Sequence, residues 1–112
     1  MMDATMQSYA PREALKAVVA KLDAIDGMRH DKPQQAHAEF GHAATMLIDA
    51  RNDVIGRLRD GKGAAGERLL RDLNSLVSLA VSIEYPLSGF HWPRVKALRD
   101  GLAHLAGEAA HA

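Results

Sequence analysis

The sequence predicts an all-α fold, a single-domain four-helix bundle in up-down-up-down antiparallel order. Four segments carry apolar residues at the three- and four-residue spacing of a helix, and prolines or glycines bound them. No segment alternates polar and apolar residues as a strand does. Aromatic residues make up only 4% of the chain, so Leu, Val, Ile and Ala must build the core, which favours helices. The short connections favour antiparallel neighbours.

The first two helices are predicted at about 11–26 and 33–60, after an N-terminal tail over residues 1–10. Pro11 suits a first helical turn, and Gly27 suits the position just after a helix end. The apolar stripe of the first helix comprises Leu15, Val18, Val19, Leu22 and Ile25. The stripe of the second comprises Phe40, Ala44, Leu47, Ile48, Val54, Ile55 and Leu58. Each helix should therefore bury one face of ordinary width.

The third and fourth helices are predicted at about 65–85 and 93–110, so that residues 11–112 form the bundle. Pro86 stops the third helix, because proline cannot continue one. The core stripe of the third helix includes Leu69, Leu73, Leu76, Val77 and Ala80. The stripe of the fourth comprises Val95, Leu98, Leu102, Leu105 and Ala109.

The third helix is apolar over about 200° of its circumference, which is wider than one buried face requires. Two residues widen each flank: Leu79 and Ile83 on one side, Leu70 and Val81 on the other. One interpretation places this helix centrally, with the N-terminal tail packed over it. The other makes the spare flank a homodimer surface, with Leu79 and Ile83 as contact residues.

Composition argues against several classes of function. Fourteen basic residues balance fourteen acidic ones, so no net field attracts nucleic acid or an anionic membrane. The chain has no cysteine, which excludes disulfides, thiolate metal sites and cysteine nucleophiles. The first residues do not resemble a signal peptide, and no apolar run approaches the roughly 20 residues that span a bilayer. We therefore expect a cytoplasmic protein that binds neither nucleic acid nor a membrane.

Gly61, Gly63 and Gly66 match the G-x-G-x-x-G pattern of a dinucleotide-binding turn. That turn needs a preceding strand and a following helix, and the residues before this one are predicted to be helical. We interpret the match as accidental and predict no cofactor. The chain also lacks an evident nucleophile with its base, so the sequence leaves enzymatic activity open without favouring it.

Six histidines make metal binding an alternative. Two E-x-x-H pairs, Glu39 with His42 and Glu108 with His111, resemble those of di-iron bundles, but an up-down order puts them at opposite ends. A looser cluster remains at one end of the predicted bundle: His30, His37, His91, Asp26 and Glu84. Histidine and carboxylate ligands together suit zinc. The alternative is that these are solvated end residues or a capping hydrogen bond.

Arg51 is the one charged residue in the middle of an apolar stripe. A buried guanidinium needs a partner, and Asp72 or Glu108 could lie at its level. Alternatively, its aliphatic stem packs on the core while the head reaches water. Neither interpretation gives Arg51 a catalytic role.

The segment YPLSGFHWP, residues 85–93, is the most unusual in the chain. It holds three of the five aromatic residues, together with two prolines and a glycine. Proline stiffens a loop and aromatics are enriched at binding hot spots, so one interpretation is a docking loop. Its contact residues would be Tyr85, Phe90, His91 and Trp92. In the other interpretation, Phe90 and Trp92 fold back and plug the open end of the bundle.

Taken together, the sequence favours a small helical module that acts through protein–protein contact, as an adaptor, a regulator or a self-associating unit. The partner is then a protein of unknown identity or a second copy of the chain. The alternative function is a metal-binding bundle that uses the histidine and carboxylate cluster.

Overall fold

Four helices account for most of the chain in the computed structural model. They are α1 (Met2–Met28), α2 (Pro33–Arg59), α3 (Ala64–Glu84) and α4 (Trp92–His111). The structure describes residues 2–59, 64–85 and 90–111, with side chains over 12–57, 66–85 and 90–107. The described residues contain no strand, and the four helices pack on one another, which confirms the all-α four-helix bundle.

The first helix differs most from its predicted bounds. It begins at Met2 and continues through Pro11, so residues 2–10 of the predicted tail belong to α1. Met and Ala, which recur in this segment, are good helix formers, and this preference outweighs the helix start expected at Pro11. The side chains of residues 1–11 lie outside the described part. The prediction that the N-terminal segment packs over the third helix therefore stays a prediction.

The connection between α1 and α2 is a short turn. The N–H of Lys32 donates to the oxygen of Met28 over 2.8 Å, and the N–H of Ala36 donates to the oxygen of Lys32 over 2.9 Å. The carbonyl of Lys32 therefore accepts the first hydrogen bond of α2. Pro33 then occupies the first helical position, where a missing N–H costs nothing.

Most of the predicted stripe residues form the core; Ile55 is only half-buried, and the side chains of Leu58 and Ala109 lie outside the described residues. The largest fully buried side chains are Phe40, Leu15, Leu22, Ile25, Leu47, Leu73, Ile83, Leu98, Leu102 and Val18. Four buried alanines were not predicted: Ala36, Ala43, Ala50 and Ala106. Alanine gives only a weak hydrophobic signal, so its burial depends on how closely a neighbouring helix approaches.

The helices form a closed ring in which α1 contacts α2 and α4, and α3 contacts the same two helices. Lys21 Nζ lies 2.6 Å from Glu39 Oε1, joining α1 to α2. Arg99 donates to both carboxylate oxygens of Asp23, over 2.9 and 3.3 Å, joining α4 to α1. The up-down-up-down order stays a prediction, and these contacts agree with it.

Helix α3 packs less extensively than the other three helices. Leu69, Leu70, Leu76 and Leu79 are only partly buried against the core. It contacts α4 at Gly101, where an added Cβ would lie 2.9 Å from Leu76 Cδ2. A methyl group there would have to displace the end of the Leu76 side chain, although glycine inside a helix costs about 1 kcal/mol relative to alanine.

Candidate functional site

Aromatic rings close one end of the bundle. Phe90 lies just before α4, edge-on to Phe40 of α2 at a centroid distance of 5.4 Å. Its ring also meets those of His37 and Trp92, both at 4.9 Å. Phe40 is fully buried, and Phe90 and Trp92 pack partly buried against the core. Such ring pairs contribute about 0.5–1.5 kcal/mol each beyond the area that they bury.

All four helices meet at this end. The guanidinium of Arg29, just after α1, lies 5.7 Å from the ring centroid of Trp92 in α4. His37 Nε2 of α2 lies 3.5 Å from the main-chain oxygen of Glu84, the last residue of α3. These contacts favour the plug interpretation for Phe90 and Trp92 over the docking one. His91 is exposed at the same end, and its docking role stays a prediction.

The five side chains predicted as metal ligands do not converge, which corrects that prediction for His30, His37, His91, Asp26 and Glu84. Among the residues with described side chains, no three His, Asp or Glu groups could hold a metal ion. Asp26 lies 3.5 Å from Arg29, and His37 faces the Glu84 main chain. The sequence predicts that these residues lie at the same end of the bundle, but it does not predict the direction in which each side chain points.

The E-x-x-H pair of α2 takes part in an ion-pair cluster. Glu39 Oε1 accepts from Lys21, and His42 Nδ1 lies 3.5 Å from the same oxygen. The hydrogen bond from Lys21 is the main cause that lowers the pKa of Glu39. The second predicted pair, Glu108 and His111, lies outside the described side chains.

Arg51 does not pair with Asp72. Its Nη1 donates to Asn74 Oδ1 of α3 over 2.8 Å, and its Nε donates to Asn52 Oδ1 over 2.9 Å. The side chain is half-buried, so the stem packs on the core and the head bonds to amides at the surface. This matches the second interpretation from the sequence; the side chain of Glu108 lies outside the described part.

The large hydrophobic side chains that are exposed in the described part lie at the end of α3. Val81 is 40% exposed and Tyr85 is 72% exposed. The N–H of Tyr85 donates to the oxygen of Val81 over 2.9 Å, which extends the helical pattern by one residue. The two side chains therefore stand one turn apart on the same side of the helix.

The spare flank of the third helix is the opposite one from that predicted. Ile83 is 1% exposed and Leu79 is half-buried, so Ile83 cannot contact a partner, which corrects its assignment as a binding residue. The physical reason is that this flank faces the neighbouring helices, with Leu76 packed against Gly101 of α4. Val81 lies on the other flank and stays exposed.

Five residues share one strip of α3, which we call the outer face: Leu70, Asn74, Ser78, Val81 and Tyr85. At about 100° per residue they fall within about 80° of one another. Beside Val81 and Tyr85, the helix surface forms a shallow hollow of about 540 Å³, lined by Glu67, Leu70, Arg71, Asn74, Ser75 and Ser78. An apolar projection and a polar hollow thus lie next to each other on one helix.

A second open groove, of about 560 Å³, runs between α1 and α4 over Val19, Ala20, Ala103, Ala106 and Gly107. The charges on its rim are paired within the chain. Arg12 and Lys16 lie 3.6 and 3.9 Å from Glu13, and Asp23 binds Arg99. Among the side chains described on the rim, each charged group is therefore paired within the chain, and none is left to bind a ligand in the groove.

None of the helices in the described part of the chain has both the length and the apolar character needed to cross a bilayer. The aromatic end and the ion pairs serve contacts within the chain, which leaves the outer face of α3 as the candidate site. Comparison of the chain with protein-family profiles, with curated proteins and with solved structures finds no match in any of the three.

Proposed function

We propose that this protein is a small helical module that acts through protein–protein contact at the outer face of α3, as an adaptor, a regulator or a self-associating unit. One observation carries the proposal: Val81 and Tyr85 are exposed one turn apart, while the other large hydrophobic side chains of the described part are at least partly buried. Tyrosine combines a large apolar ring with a polar tip, and it is enriched among the residues that dominate binding energy.

The surroundings of the two side chains resemble those of known binding surfaces. Protein interfaces have an apolar centre and a polar rim that supplies hydrogen bonds. Here Leu70, Val81 and Tyr85 offer apolar area, while Asn74 and Ser78 offer amide and hydroxyl groups between them. Helix α3 is also the helix that packs least on its neighbours, and part of its apolar stripe is left uncovered.

A photocrosslinking residue in place of Tyr85 tests the proposal. The full chain with p-benzoylphenylalanine at Tyr85 is expressed in its native host and irradiated. The matched control carries the same residue at Lys96, whose side chain is 80% exposed on α4. We expect adducts of defined mass from the position on α3 that are absent from the control.

Specificity is checked by competition and by a second variant. Unlabelled protein in excess should suppress the adducts, and Val81→Ser should weaken them while the far-UV circular dichroism spectrum is unchanged. Equal labelling from both positions, or no labelling from either, would contradict the proposal.

A further inference from the structure

We infer that the partner of the outer face of α3 is the same face of a second copy of this chain, antiparallel about a two-fold axis near Ser78. The inference rests on the proposed function and names the partner of that same surface. It follows from how the shape, the charge and the residue sizes are arranged along α3.

The shape of the outer face is self-complementary. Val81 and Tyr85 project at one end of the face, and the hollow extends from Glu67 to Ser78 at the other. A two-fold axis at Ser78 exchanges these ends, because it places each residue opposite the one equally far on the other side. Val81 then lies opposite Ser75, and Tyr85 lies opposite Arg71. The projection of each copy enters the hollow of the other.

The charges on the face favour the antiparallel arrangement. Glu67 and Arg71 lie at the hollow end, and both are exposed. A parallel pair would set Arg71 against Arg71, whereas the antiparallel pair sets Arg71 against the ring of Tyr85. A guanidinium over an aromatic ring is a favourable contact. The formal net charge of the chain is zero, so two copies do not repel each other as a whole.

The centre of the face allows the two helices to approach. Asn74, Ser75 and Ser78 have short polar side chains, and all three are exposed. Short side chains at the crossing point let helix axes come within the 8–10 Å typical of packed helices. Their hydroxyl and amide groups can also bond to one another across the axis, so no polar group there needs to lose its partners.

The size of the contact indicates a weak dimer. Helix α3 has 21 residues, so its face is about 31 Å long. A contact over one such helix face is smaller than the interface of a stable complex, which buries about 1,600 Å² in total. We therefore expect a dimer that dissociates on dilution.

Disulfide trapping tests the arrangement directly, since the chain has no cysteine of its own. Ser78→Cys places two thiols beside the two-fold axis, within the Cα separation that a disulfide requires. Lys96→Cys on α4 is the exposed control. Under mild oxidation we expect Ser78→Cys to form a covalent dimer readily and Lys96→Cys to form little.

A mixing experiment tests the direction of the pair. Arg71→Cys and Tyr85→Cys chains should crosslink to each other when mixed, and each should crosslink little by itself. A Tyr85→Cys chain that crosslinks to itself more readily than to Arg71→Cys would show a parallel pair and overturn the arrangement. Sedimentation equilibrium of the unmodified chain should show a mass that rises with concentration.

The result that overturns the inference is a chain that stays monomeric up to millimolar concentration, with Ser78→Cys no faster to crosslink than Lys96→Cys. The photocrosslinking experiment then separates two cases. If position 85 still labels a different protein, the outer face binds that protein and only the second copy is excluded. If it labels nothing, the proposed function fails as well.

Discussion

Substitution of Tyr85 should affect binding strongly and stability little, and the two effects can be measured separately. Its ring is 72% exposed, so replacing it by alanine should change the free energy of unfolding by no more than about 0.5 kcal/mol. As a binding hot spot it should weaken dimerisation or partner binding by about 2 kcal/mol, which is roughly 30-fold. Sedimentation and thermal melting measure the two effects. Tyr85→Phe should retain most of the binding, and a large loss of stability in Tyr85→Ala would contradict an exposed role.

Phe90 should behave in the reverse way, because its ring connects Phe40, His37 and Trp92. Phe90→Ala should lower the free energy of unfolding by about 2–3 kcal/mol, less than for a fully buried phenylalanine. Trp92 is the only tryptophan, so its emission should shift to the red as it loses this neighbour. Tyr85→Ala serves as the control with unshifted emission. Unchanged stability and emission in Phe90→Ala would contradict the plug.

Replacing each of two glycines inside helices by alanine compares a position with open space around it and a position in contact with a neighbouring helix. A Cβ at Gly56 meets nothing within 4 Å, so Gly56→Ala should stabilise the protein by about 0.5–1 kcal/mol. Gly101→Ala should gain less, because the new methyl group would lie 2.9 Å from Leu76 Cδ2 and that side chain must move. Denaturant unfolding of both variants measures the difference. An equal gain at the two positions would show that α3 and α4 do not approach closely at Gly101.

Among the contacts between elements, the α1–α2 ion pair gives a prediction about pH. The hydrogen bond from Lys21 lowers the pKa of Glu39 below its ordinary value of 4.5. The folded chain then binds this proton less readily than the unfolded chain, so the pair stabilises the fold above pH 4.5. That contribution is lost as the pH falls through the lowered pKa. Melting temperatures across this range should fall less steeply for Glu39→Gln, and Lys21→Gln should have the same effect.

At the scale of elements, the sequence predicted the buried faces but not how neighbours cover their flanks. Leucine and valine spacing identified the core stripe of α3, including Leu73 and Ile83. It could not say which flank a neighbour would cover, because that depends on how closely α4 approaches at Gly101. The exposed flank of α3 is the one that carries Val81, whereas the sequence favoured the flank of Ile83 as the partner surface.

The candidate site was predicted in part for a similar reason. The sequence identified Tyr85 as a candidate contact residue because the composition of its segment is unusual. Whether Phe90 and Trp92 turned outward or inward depended on a long-range contact with Phe40, which local sequence does not encode. The proposed metal ligands shared a level in the bundle, but the direction of each side chain depends on its helix rotation, and His37 turns towards the Glu84 main chain.

For the whole molecule, we expect a helical far-UV circular dichroism spectrum and a single cooperative unfolding transition. Because dimerisation stabilises the folded state by mass action, the melting temperature should rise with protein concentration. Tyr85→Ala should remove that dependence without lowering the melting temperature in dilute solution. A melting temperature that is independent of concentration in the unmodified chain would argue against the second copy as partner.

The contact between Asp23 and Arg99 has a consequence for the order of folding. These residues lie 76 positions apart, whereas the other neighbouring helices follow one another along the chain. Contacts between consecutive helices close short loops and form at a small cost in chain entropy. Closing α1 against α4 constrains nearly the whole chain at once, so this seam should form last. We therefore expect the ring to assemble sequentially, and substitutions that weaken the contact between the first and last helices to speed unfolding more than they slow folding.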